Sequence, residues 1–140
     1  MNGVARTGTA VADFSTSSGQ PTVANMVVFK ATNLIQGAGL PDDKQARASG
    51  SSSTQDSGFT AATVNAHDFV VGAIGCALAV VTDTLGAWAD GMVSVGRALQ
   101  TDLDLKVAAK YVSVTGTQRA RVTGATSRPY GAECNAYKCT

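Results

Sequence analysis

The chain has 140 residues, with 11 basic and 10 acidic side chains and a formal net charge of +1. That length fits one domain, and folding at this size buries about two thirds of the unfolded surface. A charge so near zero creates no field that would gather a polyanion, so no nucleic-acid partner is expected.

Residues 1–20 form an N-terminal arm. They hold one Arg and no continuous apolar run, so they do not read as a cleaved secretory signal. Val4, Val11 and Phe14 hint at a helical segment that 15–19 interrupts. A first helix is predicted over 22–36, with Pro21 at its opening turn and Val23, Val27 and Leu34 beside Ala24, Val28, Ala31 and Ile35. It ends at Gly37, Gly39 and Pro41, and 37–59, including the Ser-rich 49–58, reads as a flexible loop.

The main signal follows. Val71, Ile74, Leu78, Val81, Leu85, Trp88, Met92, Val95 and Leu99 recur at alternating spacings of three and four, the heptad pattern of an amphipathic helix. Thr60 is placed as its N-cap, and Phe59 as a staple against Val64. A helix over about 61–100 would be roughly 60 Å long at 1.5 Å per residue, too long to be stable unpartnered. Gly72, Gly75, Gly86, Gly91 and Gly96 each cost about 1 kcal/mol in a helix interior, which packing must offset.

The expected fold is therefore all-α: a long central helix packed with the shorter N-terminal one as a hairpin or bundle, within a helical domain over 21–110. Residues 111–140 read as a C-terminal tail, with a weak hairpin of 112–115 and 121–123 about Gly116 as the alternative. Arg119, Arg121 and Arg128, with Tyr130 and Tyr137 nearby, read as a solvated basic cluster in that tail.

No catalytic, cofactor or metal site is expected. The single His, His67, lies near the apolar track and reads as a core or edge imidazole. Cys134 and Cys139 form a C-x4-C pair without the second pair a structural zinc needs, and Cys76 reads as a small buried apolar residue. Asp42 with Asp43 and Asp102 with Asp104 read as solvated capping carboxylates. No phosphate-cradling glycine motif occurs. The uncharged run 69–82 is too short to span a bilayer, which takes about 20 residues; membrane insertion of 69–89 requires Asp83 to face a bundle interior.

A short helix, a Gly and Ser loop and then an Ala, Val and Gly-rich helix carrying LGAWADGMVSVGRALQTDLDL resembles small actinobacterial ESX, or type VII secretion, proteins related to the WXG group. That resemblance covers about 20–110. It implies a non-enzymatic helical hairpin, exported without a cleaved signal, that pairs with itself or with a helical partner as an adaptor. The alternative expectation is a structural subunit of a phage or virus particle or filament, with a small membrane-inserted protein third. All of these are oligomeric and act through the stripe from Val71 to Leu99.

Overall fold

The computed structural model describes residues 44–77, 85–101 and 103–139. Strands β1 (Lys44–Asp56), β2 (Asp68–Ala77), β3 (Leu85–Trp88), β4 (Val93–Leu99), β5 (Leu103–Val112) and β6 (Arg121–Lys138) form one antiparallel, barrel-like sheet. The all-α expectation is overturned: no helix is present among the described residues. With it go the helical hairpin of the resemblance and the structural basis for the type VII secretion and virion roles attached to it. The predicted helix over 22–36 and the arm 1–20 lie outside the described residues.

The cause is clearest in β2. Asp68, Val70, Gly72, Ile74 and Cys76 are buried on one face, while Phe69, Val71, Ala73, Gly75 and Ala77 are half-buried on the other. A central strand covered on both faces is apolar at both parities, so any period fits its sequence. The β-branched Val70, Val71 and Ile74 favour the pleated conformation.

The segment read as a tail supplies the centre of the sheet. β6 is 18 residues long and pairs with β1 along one edge and with β2 and then β3 along the other. Beyond β2 lie β5 and, at the margin, β4, giving the order β1-β6-β2-β5-β4. The even-numbered residues of β2, β5 and β6 face the core, where Val70, Ile74, Cys76, Ala108, Val122, Ala132, Cys134 and Ala136 meet Leu85, Met92 and Ala120. Burying such a face is what holds a sheet of this size together. The alternative hairpin about Gly116 does not form either, because β2 separates β5 from β6.

Two close approaches shape the core. A Cβ on Gly72 would lie 2.6 Å from the Ala120 Cβ and 2.8 Å from the Met92 Cε. A Cβ on Gly86 would lie 1.8 Å from the Thr123 carbonyl oxygen, so β3 lies directly on the β6 backbone.

Above the core, segment 57–63 is fastened to 116–120 without being a regular strand. Ser57, Thr60 and Thr63 are buried, and each makes two bonds to one residue opposite. The Ser57 N–H donates to the Ala120 carbonyl while its hydroxyl accepts from the Ala120 N–H, both at 3.0 Å. Thr60 does the same with Gln118, at 2.8 and 2.9 Å, and Thr63 with Gly116, at 3.0 and 3.2 Å. Hydroxyls stand where strand carbonyls would, and one side advances three residues for every two on the other. Thr60, predicted as a helix cap, is thus a rung of this clasp, and Phe59 is exposed with the Arg119 guanidinium 4.4 Å from its ring centroid.

Candidate functional site

The residues of the predicted stripe do not share a face. Ile74, Leu85 and Met92 are in the core, Trp88 is half-buried beside it, and Val71 is on the outer face of β2. Val95 and Leu99 lie on β4, where they are 42% and 40% exposed, and Val93 beside them is 65% exposed. Leu78, Val81 and Asp83 lie outside the described residues, as do Asp42, Asp43 and Asp102.

β4 is the margin of the sheet. It pairs with β5 and, among the described residues, with no other strand. A shift in register between Ser94 and Gly96 leaves Val95 as the extra residue of a bulge. Margins of this kind present unpaired backbone groups, and proteins ordinarily guard them with charge. The one charged residue of β4 is Arg97, and its guanidinium is turned back into the protein: Nε and Nη2 donate to the two carboxylate oxygens of Asp104 at 2.9 and 3.0 Å.

Asp104 is therefore not a solvated cap. Its side chain is fully buried, and it also accepts from the Leu85 N–H at 2.9 Å. The neighbouring core-facing Lys106 donates to the Leu85 and Gly86 carbonyls, each at 2.7 Å. Leu85 pairs with β6 on its other side, so Asp104 and Lys106 occupy the places a further strand would take against β3. This seam of side chains closes the sheet where backbone does not. Burial pulls the Lys106 ammonium below its ordinary value, against the attraction of Asp104, and the bond to Asp104 raises Arg97 further.

The basic cluster read as a solvated tail is also structural. Arg119 Nε donates to Asp90 at 2.9 Å and Arg121 Nη2 at 3.3 Å, while Lys110 donates to the Asp90 carbonyl at 2.9 Å. Burial works to raise the Asp90 carboxyl, but Arg119, Arg121 and Lys110 outweigh it and hold it below its ordinary value. Asp90 and Gly91, with φ of 57° and 73°, form the tight turn from β3 to β4 that these side chains grip.

His67 is exposed, and its Nδ1 is 2.7 Å from the Tyr111 hydroxyl, with the two rings stacked at 6.0 Å. The three cysteines are buried, and none of them is in a disulfide. Burial pushes the Cys134 thiol up to about 12 and raises Cys76 as well. Both should resist alkylation by iodoacetamide at pH 8 in the folded protein and react on unfolding, as followed by mass spectrometry. The folded state holds the Cys134 proton longer than the unfolded one, so this contribution is complete below the ordinary thiol value of 9.0 and is lost as pH climbs toward about 12.

No protein family, curated protein or solved structure matches the chain. Sequence reasoning found Val95 and Leu99 but set them in a helical stripe; the signal that β4 begins at a turn was the Asp90-Gly91 pair.

Proposed function

We propose that the protein is a non-enzymatic association domain that pairs with a second copy of itself through β4. The observation that carries this reading is the margin of the sheet: Val93, Val95 and Leu99 exposed along one strand whose only charge is satisfied inside its own chain. Pairing there buries apolar surface without stranding Arg97.

A second copy fits the sequence of β4. Two β4 strands can pair antiparallel about a two-fold axis near Gly96, a self-complementary arrangement that gathers the exposed Val93, Val95 and Leu99 of both copies along one seam. The other margin of the sheet, β1, presents Gln45, Arg47, Ser49, Ser51 and Ser53 to solvent, a polar edge that does not invite continuation into a fibre.

Light scattering on the purified chain tests the reading. A dimer is expected, and Val95→Lys should convert it to a monomer with an unchanged circular dichroism spectrum, weakening association by at least about tenfold. A wild-type monomer at about 100 μM, an affinity far too weak for a β4 pair of this composition, would overturn the proposal, as would a dimer that Val95→Lys leaves intact.

A further inference from the structure

The sheet has a second buried apolar surface that the core does not explain. Val107 and Ala109 of β5 are 9% and 6% exposed, yet neither belongs to the core cluster. Both stand on the outer face, in register with Ala73 and Val71 of β2, whose side chains point away from the core. Val107 has Gly96 of β4 as its other neighbour in register. Ala73 and Gly96 are too small to shield an isopropyl group, so Val107 is covered by something standing over the sheet.

No described strand provides that cover. The sheet is a single layer, and β3 approaches β5 from the core side, where Leu85 lies. The clasp of 57–63 with 116–120 is on the core side as well, where Ala120 meets Gly72 and Met92. Val107 and Ala109 are buried within one chain, so the cover belongs to the same chain and lies outside the described residues.

Composition and reach select one segment. Residues 78–84 lead into Leu85, which Asp104 holds on the core side. Residues 1–21 are dominated by small and polar side chains, whereas 22–36, TVANMVVFKATNLIQ, carries Val27, Val28, Phe29, Leu34 and Ile35 and a single charge, Lys30. Lys44, Ala136, Val70 and Lys110 lie in one line across the sheet, which sets β1 about 14 Å from β5 at about 4.8 Å per strand. Residues 37–43 span about 23 Å when extended, enough to carry the segment across.

We infer that residues 22–36 dock on the outer face of β2 and β5 in their own chain, their apolar side chains covering Val71, Val107 and Ala109. The face suits them: Ala73 and Gly75 on one side of Val107 and Leu105, and Gly96 and Ala98 on the other, leave shallow troughs for Val, Phe and Leu side chains. Docking there removes apolar surface from water on a face that the core leaves untouched. The inference stands independently of pairing at β4, since these contacts lie within one chain whether it is a monomer or a dimer.

The test is NMR of the full chain with labelled methyl groups. Nuclear Overhauser contacts are expected from the Val107 methyls to side chains of 22–36, and a mixture of labelled and unlabelled protein should show them to be within one chain. A soluble paramagnetic agent should leave those methyls sharp. Phe29→Ser combined with Leu34→Ser should abolish the contacts and let the agent broaden Val107 and Ala109, while the Val70 and Ile74 resonances of the core stay in place. The inference is overturned if Val107 makes no contact with 22–36 or makes it only between copies. It is overturned equally if the agent already broadens the Val107 methyls of the wild type.

Discussion

Asp104→Ala should lower the stability of the fold by about 3–5 kcal/mol, the cost of breaking a buried ion pair by removing one partner. The variant leaves the Leu85 N–H without its acceptor and frees Arg97 from the carboxylate that turns it inward. Lys106, still bound to the Leu85 and Gly86 carbonyls, loses the charge that favours its ammonium in a desolvated place. Urea unfolding followed by circular dichroism measures the effect. Asp104→Asn should cost less, because one amide oxygen can still accept from Leu85. A loss below about 1 kcal/mol for the alanine variant, the scale of an ordinary hydrogen bond, would mean that the side-chain seam does not close the sheet.

Gly86→Ala should be comparably severe, at about 3 kcal/mol or more, above the usual range for overpacking. The new methyl group meets backbone, the Thr123 carbonyl, and not the movable end of a side chain, so β3 must lift away from β6. Leu85 and Trp88 leave their pairing with Gly124 and Val122 if it does. Gly131→Ala is the control: it has open space around it and an ordinary φ, and should change stability by less than about 0.5 kcal/mol. Thermal unfolding of the three proteins side by side is sufficient. Equal midpoints for wild type and Gly86→Ala would refute the close approach of β3 to β6.

How much of this was legible in the sequence depends on the segment. The alternation of β1 is visible in 44–49, where Gln45, Arg47 and Ser49 alternate with Lys44, Ala46 and Ala48. β2 hides its period, since both of its faces are covered and Val71 and Ile74 satisfy a helical spacing as readily as an extended one. The heptad track through Trp88 and Met92 crosses a turn that the sequence does mark: Asp-Gly at 90–91 is the strongest short-range hairpin signal, and both residues adopt the left-handed conformation it predicts.

The glycines told the same story. Read as helix interior, Gly72 and Gly86 are costs to be offset; in the sheet they are the points where Ala120 and Thr123 come closest. The burial of Asp104 was not legible, because the side chains it meets, Arg97 and the Leu85 amide, are brought to it by strand order and not by nearby sequence. The surroundings of Val107 have the same origin: Ala73 and Gly96 become its neighbours only through the register of three strands. Nor could spacing show the clasp. Ser57, Thr60 and Thr63 recur every three residues, a period belonging to neither helix nor strand.

The position of β6 has a consequence for how the protein is made. β1 and β3 pair with residues 121–138 and, among the described residues, with no other strand, so neither can join the sheet while the ribosome is still adding that segment, whereas β2 can already pair with β5. During that interval the Val70, Val71 and Ile74 stretch can pair on its β5 side only and its other edge stands open, and sheets built from such distant pairings form slowly. Synthesis of this chain thus includes a period in which its most apolar strand has one unpaired edge, and slowing translation ahead of residue 121 prolongs that exposure.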